Sequence, residues 1–392
     1  MKNNDFLPYE YDASNIKGST KGVYFPTTIE EVRKIVLKEP RICIRGGGSG
    51  LAGGAVPEHN QDIVLDLSKL TKIGQIDFDR QTIEVEAGVI LDDLQTHLKE
   101  HSLEFPVNPS SHGICTMGGM IATNAVGSRA IKYGKTSKWV RWIDVMDSNG
   151  NIDRKGKTEM SDYSGMEGIT GVIIKACLNL SQIKKRTATL IKITNRNKII
   201  ETLKQLRKDE NVSIIEFIDK KISTGIGLTD NYHLVVEYES AFSPKSSSEN
   251  SSDSKETRET SKGLLDDSEY EKLMEKRDSI YPFLAAEGYT RIEDPKIIID
   301  KFPILLKWLE AKKIPVFGHL SVGILHPCFY IKQEKYIPEM MKLVKRLGGK
   351  VSGEHGIGLL KKQFVDPQDR RILENIKKRT DPKGKFNIGK II

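Results

Sequence analysis

The sequence predicts an α+β protein of at least two domains, and three features of its patterning carry that expectation. Up to about residue 182, short β-branched runs alternate with short helices in a background dense in glycine, the residue of sharp turns and close backbone approach. Beyond 183, longer apolar strands with a helix between them read as an antiparallel sheet layer, giving a second domain that runs to about 375. A terminal segment, 376–392, follows and ends in DPKGKFNIGKII.

Each element has a local reason. After Pro26, Thr28 and Glu31 have the spacing of a capping box and open an amphipathic helix through Val32, Ile35 and Val36. A strand over 41–45 follows. The runs 63–67, 82–87 and 171–180 are β-branched strands, with a helix over 91–100 after the second of them. In the second region TATLIKIT, VSIIEFI and YHLVVEYE read as strands, and 198–208 and 337–346 as helices. The stretch SAFSPKSSSENSSDSKETRETS, at about 240–261, is too polar to bury and is expected to be a mobile surface loop. No internal repeat is present.

Composition excludes several classes. The 61 basic and 53 acidic residues give a net charge of +8 spread along the chain, which favours anionic small molecules but forms no basic stripe interleaved with aromatics, so nucleic acid is not expected. Cys43, Cys115, Cys177 and Cys328 lie far apart with no C-x-x-C pair, against a zinc ribbon or an iron-sulfur cluster and in favour of reduced thiols in the cytosol. MKNNDFLPYEYDAS has no apolar signal core, and no apolar run is long enough to cross a bilayer. The expected location is cytoplasmic. Peripheral contact with the inner face of a membrane, and a homodimer, stay open.

The segment RGGGSGLAGGAV, residues 45–56, holds a literal G-x-G-x-x-G at Gly48, Gly50 and Gly53. A Rossmann site needs a helix directly after it, whereas Gly53, Gly54 and Pro57 stop one from forming. What remains is a nest of backbone N–H groups able to wrap an anion, and a dinucleotide pyrophosphate is the natural guest. A second stretch, NPSSHGICTMGGMIATNAVGSRAIKYG, combines hydroxyls with small residues that leave room for a flat ring.

Together these segments resemble the FAD-binding (PCMH-type) domain of the vanillyl-alcohol oxidase superfamily, in the branch of glycolate oxidase, D-lactate dehydrogenase and D-2-hydroxyglutarate dehydrogenase. The likeness runs through YDASNIKG, FPTTIEEV, IRGGGSGLAGGA, IVLDLSKL, PSSHGICTMGGMIATNAVG, KYGKTSKWV and EGITGVIIKACLNL, in order. It implies two small α/β subdomains holding FAD, and a cap domain for the substrate. By the same resemblance Gly46, Gly47, Gly48, Ser49 and Gly50 hold the phosphates. Ser111, Gly118, Gly119, Ala122, Asn124, Gly127 and Val172 line the cofactor.

In the second half His319 and His326 stand seven apart in GHLSVGILHP, and His355 follows Glu354 in SGEHGIG. Two imidazoles and a carboxylate would give zinc or manganese three ligands with open positions; equally, the histidines could be hydrogen-bonded interior residues and Glu354 a surface carboxylate. The 2-hydroxy-acid branch carries GH-x-G-D-G-N-x-H, SGEHGIG and DP-x-x-x-x-NPGK in that order, and this chain resembles all three. That implies a divalent metal on His319, His326 and Glu354, with His355 as the general base. Asn387 would return with the terminal segment to the cofactor edge. Arg277 stands where the family has a W-x-x-R arginine for the substrate carboxylate; Arg291 is a second candidate, and either could be a solvated surface residue. One departure is plain: Leu320–Ile324 replaces the family's Gly-Asp-Gly-Asn run, and Ile388 replaces a proline.

The implied activity is oxidation of a small D-2-hydroxy acid, D-lactate or glycolate or similar, by hydride transfer to flavin N5, with an external quinone, cytochrome or iron-sulfur subunit as acceptor. The altered 320–324 segment motivates an alternative, a non-catalytic FAD-binding subunit of a larger oxidase complex. A flavin-dependent transferase of the alkylglycerone-phosphate synthase kind shares the first domain, but the consecutive histidines it uses are not seen.

Overall fold

Strand β1 (Gly22–Tyr24) leads to the capping signal. The Thr28 hydroxyl accepts from Glu31 N at 3.2 Å and starts α1 (Ile29–Lys38), while the Glu31 carboxylate turns back to Thr27 N at 2.7 Å. The chain is described by a computed structural model at residues 6–240 and 264–392; the loop expected at about 240–261 lies, apart from Ser240, outside them. Helix α1 buries Val32 and Val36 with Ile42, Ile63 and Leu65 of a small parallel sheet of β2 (Ile42–Arg45) and β3 (Ile63–Asp66), in the order β1-β3-β2.

A second layer is antiparallel. Strands β4 (Ile73–Asp77) and β5 (Thr82–Glu86) precede α2 (Leu91–Lys99), β6 (Leu103–Glu104) and α3 (Met117–Thr123). After the single turn of α4 (Ala130–Tyr133) come β7 (Val140–Met146), β8 (Ile152–Lys155), β9 (Val172–Asn179) and β10 (Ser181–Gln182). The sheet order is β4-β5-β9-β7-β8, and β10 pairs with β6. Leu91, Leu94 and Leu98, at i, i+3 and i+7, put one face of α2 into the core with Ile83, Val85, Ile143 and Leu178. Each leucine contributes up to about 1.5–3 kcal/mol of transfer energy there, so a leucine-to-alanine change on that face would loosen the helix.

The second large antiparallel sheet, here called the second sheet, has six strands. Strand β11 (Lys185–Ile193) precedes α5 (Lys198–Leu206), β12 (Val212–Ile218), α6 (Lys220–Gly225) and β13 (Tyr232–Ser240). Then come α7 (Asp267–Asp278), α8 (Ile280–Ala286), β14 (Arg291–Ile292), α9 (Phe302–Ala311), β15 (Val316–Gly318), β16 (His326–Phe329) and α10 (Ile337–Arg346). The order is β11-β13-β12-β15-β16-β14. Asp219 joins two elements: its carboxylate accepts from Ile222 N to cap α6 and from Val316 N to pin β15, at 2.8 and 2.7 Å. Burial pushes that carboxyl up to about 6 against the pull of both N–H groups.

Contacts divide the chain into two units. The first holds residues up to Gly127, Gly134–Gln182 and Val351–Ile392; the second holds Ser128–Tyr133 and Ile183–Lys350. The patterning placed the second domain at 183–375 and the return at 376. The return comes earlier, at Val351, because backbone groups of 357–360 bond to Glu167 and Ala52 of the first unit. SGEHGIG and α11 (Pro367–Thr380) therefore belong there. Among the described residues no helix is long and apolar enough to cross a membrane.

Candidate functional site

The first glycine segment leaves β2 at Arg45 and reaches β3 with no helix between, so the Rossmann geometry is absent. Its glycines have separate causes. A Cβ on Gly47 would lie 1.9 Å from the Ile114 carbonyl oxygen and one on Gly46 2.3 Å from Thr116 Oγ1, so the two glycine-rich stretches lie backbone on backbone. Gly50 is different, since a Cβ there would meet nothing within 4 Å. The loop thus has a face closed against protein and an open one, the form a backbone cradle for an anion requires.

The second stretch packs beneath it. Thr116 caps α3, accepting from Gly119 N at 3.3 Å, and Asn124 ends the helix in the left-handed region at φ 52°, its Oδ1 accepting from Ser137 N at 3.0 Å. Gly118 is small because Ala87 faces it, and Gly127 because Asn108 does. Ser111 carbonyl oxygen accepts from Ile114 N and Cys115 N. Val172 is fully buried in the core beside Met146, so its side chain is spent on packing. Cys115 is an inert buried thiol, pushed up to about 11 chiefly by burial.

The hub of this unit is Glu167, which sequence reasoning passed over although EGITG was in view. Its carboxylate accepts from Ile357 N at 2.6 Å and Gly358 N at 2.9 Å, its N–H donates to Ala122 O at 2.8 Å, and its carbonyl accepts from Asn387 Nδ2 at 2.6 Å. Gly356 must be glycine there, at φ 86° with room for no Cβ beside Glu167 Oε1. Burial raises the Glu167 carboxyl to about 7, with the two N–H groups pulling it down. Leu359 N in turn donates to Ala52 O at 2.9 Å, laying the loop after His355 on the first glycine segment.

Asn387, expected at the cofactor edge, lies in the first unit as a stitch in the backbone: its Oδ1 accepts from Ile44 N at 2.8 Å, in the strand that feeds the glycine loop. Lys390, also missed, is buried and donates to Gly54 O at 2.7 Å. Within the same unit His355 Nε2 lies 3.5 Å from Glu354 Oε1, and both side chains are nearly buried.

In the second unit, residue pairing of Phe217 with Gly318 and of Phe317 with His326 brings His319 and His326 together. Both are buried, with ring centroids 5.4 Å apart and planes at 89°. Two imidazoles at that separation can reach one ion with nitrogen bonds of about 2.0–2.1 Å. Between them Leu320, Ser321 and Ile324 are buried too, and a Cβ on Gly323 would clash with Ile297 O, so the apolar departure from the family pattern packs inward. Arg277 Nε and Nη2 hold the Glu216 carboxylate at 2.6 and 3.3 Å, and Nη1 reaches Asp278 at 2.8 Å. Arg291 Nε binds Glu293 at 2.6 Å. Neither arginine is a solvated surface residue. Burial works against the charges of both Glu216 and Arg277, yet each keeps the other ionised: Glu216 sits below its usual range, helped by His319, and Arg277 above its own.

The chain is similar to known proteins over nearly all of its length. Residues 20–154 match the family of FAD binding domains and 182–391 that of FAD linked oxidases, C-terminal domain. D-lactate dehydrogenase of Archaeoglobus fulgidus is 29% identical, covering 94% of this chain and 90% of its own. Glycolate oxidase subunit GlcD of Bacillus subtilis is 26% identical over 98% and 92%, and the mitochondrial D-2-hydroxyglutarate dehydrogenase of Arabidopsis thaliana 24% over 96% and 76%. In fold, an alkyldihydroxyacetonephosphate synthase structure superposes with a TM-score of 0.67 at 16% identity, covering 93% of this chain and 76% of that one, which bears on the architecture alone. The α+β layers are thus those of the PCMH-type flavoproteins, and the chain, an FAD-binding oxidoreductase, belongs to the FAD-linked oxidase family.

Proposed function

We propose that this protein is an FAD-dependent dehydrogenase that oxidises a small D-2-hydroxy acid, D-lactate or glycolate or a near relative, to the 2-oxo acid, and delivers the electrons to an external acceptor. The observation that carries this reading is the laying of the loop after His355 on the glycine segment, which favours a base poised beside the cradle for the cofactor. Three relatives that act on 2-hydroxy acids by name support the substrate class.

When bound, FAD supplies the hydride acceptor and a divalent cation supplies positive charge at the substrate hydroxyl. The chain's own residues do the rest. The backbone around Gly46, Gly47, Gly48, Ser49 and Gly50 holds the pyrophosphate. Ser111, Gly119, Ala122 and Asn124 border the ring. His355 takes the hydroxyl proton as the alpha hydrogen leaves. Arg277, a five-donor guanidinium with N–H groups to spare beyond Glu216 and Asp278, holds the substrate carboxylate, aided by Arg291. His319, His326 and Glu354 hold the zinc or manganese ion.

A second reading, a non-catalytic FAD-binding subunit, is favoured by one observation: Leu320, Ser321 and Ile324, where the family has a polar run, are spent on packing. Anaerobic mixing of the flavin-loaded protein with D-lactate, glycolate and D-2-hydroxyglutarate, followed at the flavin band near about 450 nm, separates the two. Bleaching with one of them is expected, and His355→Ala should slow it by about a hundredfold or more with flavin retained. Flavin that never bleaches supports the second reading.

A further inference from the structure

We propose that Glu216 is a positioning residue that fixes His319 for the cation, with Arg277 as the brace that holds Glu216 in place. The inference rests on the metal reading above and deepens it.

Strand β12 is buried along its whole length, VSIIEFI, so a carboxylate in it has no water and must be accounted for by its neighbours. Successive side chains alternate between the faces. Phe217 turns to one, where its ring meets Phe302 and Tyr232 at 5.0 and 5.9 Å between centroids. Glu216 turns to the other. Because Phe217 pairs with Gly318, that direction is toward His319, and Glu216 Oε1 lies 3.5 Å from His319 Nδ1. Arg277 holds the far oxygen tightly, at 2.6 Å, and the near one loosely, at 3.3 Å, which leaves Oε1 able to share a proton with the imidazole.

A carboxylate on Nδ1 selects the tautomer with its proton there and turns the lone pair of Nε2 outward as the ligand. It also makes that nitrogen a better donor. The His326 ring leans on Phe317, with centroids 4.9 Å apart.

The test is a titration of Mn²⁺, and separately Zn²⁺, into flavin-loaded protein stripped by a chelator. Glu216→Gln should weaken metal binding by about 10- to 100-fold while flavin content stays the same. His319→Ala should weaken it at least as much, and the double variant no further, because Glu216 acts only through His319. Should Glu216→Gln not fold, Glu216→Asp keeps the charge on Arg277 and withdraws it from His319 by one methylene, and weaker metal binding is expected again. Wild-type affinity in a folded Gln or Asp variant, or additive losses in the double variant, would overturn the role of Glu216. Failure of the wild-type protein to bind either ion would instead sink the metal reading, and this inference with it.

Discussion

The glycine-rich half of the first unit and the charged face of the second sheet arrange their polar groups by opposite means. At Gly46 and Gly47 the side chains have been removed so that two segments can touch. On β12 and β13 the polar groups are side chains. Glu237 is fully buried and takes two hydrogen bonds from Arg129, at 2.7 and 2.9 Å, and others from Ser213 and Tyr270; Glu239 takes one each from Arg186 and Tyr133. A buried ion pair that loses one member leaves a stranded charge.

The largest effect that would break this contrast is therefore Arg129→Ala, which should cost about 3–5 kcal/mol in urea unfolding, with Glu237→Gln in the same chain restoring part of it. A loss near zero would mean that the charged face is solvated after all. Next comes Asp219, whose carboxyl is raised to about 6 from 3.8. A raised acid binds its proton more tightly in the folded state, so its contribution is present below pH 3.8 and is lost as pH rises through about 6. Asp219→Asn should flatten that slope, by up to about 3 kcal/mol across the window. An unchanged slope would assign it to other groups.

Two alanine substitutions sharpen the glycine side. Gly47→Ala must push Ile114 aside and should lower stability by about 1–3 kcal/mol. Gly50→Ala meets open space, so unfolding should move by less than about 0.5 kcal/mol while the dissociation constant for FAD rises. Equal flavin affinity in wild type and Gly50→Ala would show that the open face is not where the cofactor lies.

The same contrast explains what was legible beforehand. Backbone-held features leave their mark in residue type: six glycines in nine residues announce the loop, Thr28 and Glu31 announce α1, and the missing helix after Gly53 excludes a Rossmann site. Side-chain-held features do not. Glu237 and Glu239, alternating in YHLVVEYE, have the pattern of a solvent-facing strand edge, and the partners that meet them, Arg129 and Tyr133 among them, come from other parts of the chain. Glu167 was invisible for a related reason, since its partners at 357 and 358 lie some 190 positions away. Arg277 is singled out in the sequence by its resemblance to a substrate arginine, but its grip on Glu216 could not be read without the register of β12 against β15.

The Asn387 stitch has a consequence for biogenesis. Strand β2 is tied to a residue 343 positions downstream, so the loop it feeds cannot set until Asn387 has been made. The nascent protein should finish its second sheet before its first unit, and flavin capture should wait on the segment that carries Asn387.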